Sequence, residues 1–336
     1  MVRTVRLWLL AVFFVWVGCT PARPSAAATP VETQPSAVAA SRHFEFHSGM
    51  WLSLHHFLYN VARARNGQPA AGGSLADTVG IGVRSAGERR AWNDAVEYYT
   101  AELAARDAVF DTLLGAIRNR LAAAERMPSL RDVGLDPRLT TALEGAAPVY
   151  RAVWWQQHDA TNRAWISSML PLLASYGDTL ASGLMRAFAA PWPTPLLRVD
   201  VVPYASWAGA YSTGEPPYVT MASTDGGYRG TRGLEMLFHE ASHAIADSMV
   251  TALREFAAAT GKPAPFGVLH PIIFFTAGEL TRRVVADYTP FAESAGFWRN
   301  GHRMAVYFPV IQRHWVPHLD GRSSLREAMR AIVLEL

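Results

Sequence analysis

The chain has 336 residues, half of them apolar and 18% charged, a globular composition that excludes a disordered or fibrous protein. Its 31 basic and 28 acidic side chains leave a net charge of +3, without the basic footprint that nucleic-acid binding needs. A single cysteine excludes a disulfide framework and every Cys-rich metal site.

Arg3 and Arg6 precede an apolar run from Leu7 to Val17. That run is too short to span a bilayer and has the length of a signal-peptide core. It leads into Val17-Gly18-Cys19, which resembles the lipobox of bacterial lipoproteins. The resemblance implies that residues 1–18 are a signal peptide, that Cys19 carries a lipid, and that the exported protein is anchored in the cell envelope. A plain secretory signal with an incidental cysteine is the alternative. Residues 19–41 hold Pro21, Pro24, Pro30 and Pro35 among Ala, Ser and Thr, and read as a flexible tether. No later segment reaches 18 uninterrupted apolar residues, so no transmembrane helix is expected.

Residues 42–190 have a helical texture. Ser85 followed by Glu88 marks a capping box opening a helix through Tyr98, and Phe110, Leu113, Leu114, Ile117 and Leu121 keep a helical stripe. Between Leu196 and Ser223 the period changes to two. Leu197, Val199 and Val201 alternate with Arg198 and Asp200, and Ser206–Ser212 and Tyr218–Ser223 follow between turn residues. From Gly233 the helical period returns. The expected class is α+β, predominantly α-helical, with residues 191–336 as the region that carries the chemistry.

The strongest chemical signal is His239-Glu240-Ala241-Ser242-His243. Two histidines four apart stack on one helix face and can reach one metal ion, while the intervening glutamate is placed to act as general base. At 100° per residue Leu237, Phe238, Ala241, Ala244 and Ile245 form an apolar face. His239, Glu240, His243 and Asp247 lie opposite. Two surface histidines on an ordinary helix would give the same letters.

A tetrahedral catalytic Zn²⁺ needs a third protein ligand. Glu279 is the choice, on a second apolar helix formed by Ile273, Ala277, Leu280 and Val284, with Ala277 and Gly278 allowing close approach. Its alternative role is a solvated residue paired with Arg282 or Arg283 at i+3 or i+4. His270 and Asp287 compete as ligands. Pro271 suggests that His270 precedes the helix, and Asp287 falls two turns beyond Glu279.

These residues resemble the zincin metallopeptidases, in particular the gluzincin group to which thermolysin belongs. There HExxH supplies two ligands and the base, and a glutamate on a following helix supplies the third. The run His243-Ala244-Ile245-Ala246-Asp247 is similar to the thermolysin helix, which implies Asp247 as a supporting partner of a ligand histidine. Gly278 and Arg283 stand where that family has Asn and Asp. The resemblance covers about residues 196–290. It implies a small sheet before the HExxH helix whose edge strand, here matched to Tyr218–Ser223, pairs with an extended substrate.

A donor to the oxyanion is also wanted, and Tyr288, His302, Tyr307 and His314 lie downstream without a way to choose among them. His43, His47, His55 and His56 cluster upstream, with His47 and His55 on one helical face. A core or cleft-lining role is preferred there, because no carboxylate except Glu45 keeps them company at ligand spacing. The expected activity is Zn²⁺-dependent hydrolysis of a peptide or protein substrate. A non-catalytic helical envelope lipoprotein, a scaffold or binding module with a structural or degenerate metal site, is the rival.

Overall fold

The computed structural model describes residues 37–72, 85–213 and 217–336. The expected signal peptide, Cys19 and most of the expected tether lie outside the described residues. The protein is α+β and predominantly helical, and Ser36–Leu336 forms one compact unit.

Two short strands open it, β1 (Ala39–Ala40) and β2 (Phe44–His47), followed by helices α1 (Met50–Arg65), α2 (Ala86–Glu102), α3 (Thr112–Ala123) and α4 (Pro137–Tyr150). A π-helical turn at Arg151–Trp155 leads into the 33-residue α5 (Gln156–Phe188). Strands β3 (Leu197–Val202), β4 (Ala210–Thr213) and β5 (Tyr218–Ala222) come next. They precede α6 (Gly230–His243), α7 (Asp247–Thr260) and α8 (Leu269–Val284). The short α9 (Phe291–Ser294), α10 (Phe308–Val310) and α11 (Val316–Leu319) lead to α12 (Leu325–Glu335).

The expected cap at Ser85 is present, its hydroxyl accepting the Glu88 N–H at 3.2 Å, and α2 runs to Glu102. The reciprocal box, with side chain and backbone satisfied both ways, is instead at Ser324 and Glu327 on α12.

The sheet has the order β1-β2-β3-β5-β4, with β2, β3 and β5 parallel and the two edge strands antiparallel to their neighbours. Two expectations change here. Residues 38–47 are a paired hairpin, not the end of a tether and the start of a helical region: Val38 donates to the Phe46 carbonyl at 2.7 Å. Phe44 and Phe46 alternate into the core, a period of two too short to stand out among helical letters. Because β2 pairs with β3, the regions before and after residue 190 share one sheet and are not separate units.

Helices cover both faces. Leu197, Val199, Val201, Val219 and Met221 face a core built with α5, α6, α7, α8 and α12. The alternate residues face α1 and α3, and there the layer is polar yet buried. Arg118 of α3 donates to Asp200 at 2.9 Å and to Thr220 at 3.1 Å, and Arg198 bridges Asp200 at 2.7 Å and Glu125 at 3.0 Å. Both guanidiniums hold the Asp200 carboxyl below the ordinary range against the opposing effect of burial. Each charge has its partner, so the layer fixes the register of α3 on the sheet.

Among the described residues no helix is long and apolar enough to cross a membrane.

Candidate metal centre

Helix α6 is buried almost all round. Leu237, Phe238 and Ala241 enter the core, and His239 (1% exposed) and Glu240 (5%) are enclosed on the opposite side by α8 and β4. His243 is the last residue of α6. The backbone then turns through Ala244–Ala246 before α7 begins at Asp247.

Helix α8 crosses α6 at close range because residue 278 is glycine. A Cβ there would lie 2.7 Å from the Pro290 Cβ and 3.0 Å from the Glu235 Oε1. The crossing brings His270 to the pair. Ligand atoms of His239, His243 and His270 lie within 4.8 Å of one another, close enough to bind one metal ion. His239 Nε2 and His270 Nε2 are 3.2 Å apart, and the buried His239 Nδ1 has no hydrogen-bond partner. Phe274, one turn after His270, lies against both rings, with centroids 3.9 Å from His239 and 4.7 Å from His270.

The third member of the cluster is therefore His270, not Glu279. Pro271 does not exclude His270 from the helix: α8 starts at Leu269, and a proline in a first turn replaces an N–H that has no intrahelical partner. Glu279 is nine residues on, half a turn out of phase, and faces away. It is paired with Arg282 and with Arg283 (2.9 Å) and lines a different cavity. Asp287 lies past the end of α8 in a turn, with φ of 56°, and does not continue the helical face.

Burial holds the His239 imidazole well below its ordinary pKa, with His243 and His270 adding to the depression. His243 is pushed down to about 3 by burial and then by His270. His270 is pushed down to about 4 by burial and then by the Arg303 charge. Three neutral imidazoles converging on one point are the protonation state a metal ion requires. Three imidazole donors suit a divalent transition-metal ion.

Glu240 points beside the cluster. Its Oε2 accepts the Ser212 hydroxyl at 2.6 Å, and burial raises its pKa to about 7 against that bond. Ser212 belongs to β4, the sheet edge. Tyr218–Ala222, expected as the edge, is β5 and runs between β3 and β4, so the strand along the site is Ala210–Thr213.

A cleft of about 720 Å³ opens over the three histidines. Ala210, Tyr211 and Ser212 form one wall, Phe274, Met304 and Tyr307 another, and Phe110, Trp207 and Phe266 stand exposed at the rim. Asp247 lines this cleft but makes no hydrogen bond to a ligand histidine among the described residues, because the break after His243 takes it off the helical repeat.

Of the oxyanion candidates, Tyr288 donates to Glu235 at 2.5 Å, and His302 stacks on Phe297 and accepts the Met304 N–H. His314 pairs with Glu335 at 2.6 Å. Tyr307 lines the cleft with its hydroxyl against Gly267, where any Cβ would collide with it. Ser212, Phe274 and Arg303 join the site without a motif to announce them. Of these only Phe274 carries a sequence signal, one helical turn from His270.

Comparison of the sequence and fold with protein-family models, curated proteins and solved structures finds no match.

Proposed function

We propose that the protein is a metal-dependent hydrolase, in the first instance a peptidase that uses zinc. The convergence of His239, His243 and His270 beside a buried glutamate carries this reading. The donor set departs from the gluzincin pattern in its third member, while the HExxH logic of base between ligands is kept.

A cation held by the three imidazoles would supply Lewis acidity, activating a water and polarising a carbonyl. Glu240 takes the proton of the attacking water and passes it to the leaving nitrogen. A carboxyl with a pKa of about 7 suits both halves of that transfer near neutral pH. Ser212 holds Oε2 and so fixes the carboxyl's orientation. Tyr307, which lines the cleft, would donate to the carbonyl oxygen as it gains charge. An extended peptide laid along β4 adds a strand to the outer edge of the sheet, with its side chains between the aromatic walls.

Export with a lipid on Cys19 is proposed as the location of this activity. Replacing Cys19 by Ser should release the protein from the membrane fraction.

Elemental analysis and peptide hydrolysis test the activity together. About one zinc per protein molecule is expected, with hydrolysis lost on chelation and restored by added metal. Stoichiometric metal with no hydrolysis of a diverse peptide library would favour the binding-module reading. Protein that neither holds nor takes up a transition metal would end the hydrolase reading and leave a binding module with a degenerate site.

A further inference from the structure

Arg303 is a cation built into the cleft without a counter-charge. It lines the same cavity as His239, His243 and His270, on the open side, and among the described residues no ion pair satisfies it. The two carboxyls in that cavity, Glu240 and Asp247, are not bonded to it; Glu240 is held by Ser212.

Arg303 itself is exposed, and the residues on either side of it anchor the turn that carries it. Met304 is buried next to it, and its N–H donates to the His302 ring. His302 stacks on Phe297 with centroids 4.7 Å apart and planes 7° apart. Phe297 meets Phe274 edge-on at 5.1 Å, and Phe274 lies on His239 and His270. An unbroken series of aromatic rings therefore braces the turn that carries Arg303 against the metal ligands. A guanidinium at the mouth of a cleft walled mainly by apolar and aromatic side chains gains most from a planar anion that can take two of its N–H groups.

We propose that Arg303 receives a carboxylate of the substrate, so that the cleft selects peptides bearing a carboxylate next to the scissile bond. This rests on the hydrolase reading above. The carboxylate has two sources, the C-terminus of a peptide or an Asp or Glu side chain.

Three matched peptides with one scissile bond separate these sources. One ends in a free acid, one in an amide, and one in an amide preceded by Asp. Cleavage is measured with the metal-loaded protein. Binding is measured by calorimetry with the Glu240→Gln variant, which cannot turn the peptides over. The parent should favour one carboxylate peptide over the neutral amide by roughly 10- to 100-fold in both readouts, the scale of a charge-assisted pair. Arg303→Met should erase the preference, bringing the carboxylate peptides to the rate and affinity of the neutral amide within the same variant. Preference for the free acid identifies the C-terminus, and preference for the Asp peptide identifies the side chain.

Equal handling of all three peptides by an active parent, or a preference that survives in Arg303→Met, overturns the assignment and leaves the hydrolase reading intact. Metal-loaded parent that cleaves none of them but binds the carboxylate peptides more tightly supports the receptor and counts against peptide hydrolysis. Neither cleavage nor selective binding overturns both.

Discussion

Two groups of three buried or cleft-facing histidines occupy this fold, and they are built on opposite principles. In the first, His55, His56 and His158 each meet a tyrosine hydroxyl, from Tyr99, Tyr211 and Tyr150, at 2.7–2.8 Å. His56 is defined at both nitrogens. Its Nδ1 lies 2.9 Å from the Leu52 carbonyl, which can only accept, so Nε2 takes the Tyr211 proton. In the second, His239, His243 and His270 point their nitrogens at one another, and His239 Nδ1 is left without a partner. Burial lowers the proton affinity of His56 and His158 in the first group and of His239 in the second. What separates a packing histidine from a ligand is thus not proton affinity but where its lone pairs point.

The largest test of that contrast lies between the two histidines of α6. Glu240→Gln should lower turnover on the order of 10³-fold, a general-base effect, while metal content stays at the parent level. Loss of metal along with activity would make Glu240 part of the binding set and undo its assigned role.

Next comes the ligand set. His270→Ala should weaken metal affinity at least roughly 100-fold, beyond the effect of losing a supporting group, and Glu279→Gln should leave it within about threefold. A competitive chelator titration on the two variants decides between them. A reversed order would restore the glutamate.

Removing a satisfied histidine should act on stability alone. His56→Phe removes the acceptor of the buried Tyr211 proton and should destabilise the fold by about 1–3 kcal/mol in urea titration, with metal stoichiometry unchanged.

A further test concerns acid. The unfolded protein protonates His158 near pH 6.5, whereas burial in the fold delays that to about 4. Between those values the unfolded state binds more protons. The stability from this group is therefore complete above pH 6.5 and is lost as pH falls towards 4. His158→Gln should remove up to roughly 1.4 kcal/mol per pH unit from the slope of stability across that window. An identical slope in parent and variant would show that His158 does not titrate there.

Much of this is legible in the letters. The HExxH spacing places His239, Glu240 and His243 on one helix face, and small residues at 277 and 278 announce a close helix crossing. The crossing point is not legible, because it depends on the rotation of α8 about its own axis. Even so, the letters hold both answers. Arg282 and Arg283 stand at the spacings that pair with a solvated glutamate, and that pairing is what Glu279 makes. Pro271 argues against His270 only if a proline must precede a helix, and a first helical turn accepts one without cost. Asp247 belongs on the ligand face only if the helix is unbroken, and three residues of turn after His243 take it out of register. The strand at Phe44–His47 is hidden for a different reason. Its partner is β3, about 150 residues later, and no local pattern reports so distant a neighbour.

The order of the strands has a further consequence for how this molecule can be held. Because β1 and β4 are opposite margins of one sheet, Ala39–Ala40 lies four strand spacings, roughly 19 Å, from the margin that borders the cleft. A pull applied at Ala39–Ala40 is therefore taken up at the margin away from Ala210–Thr213.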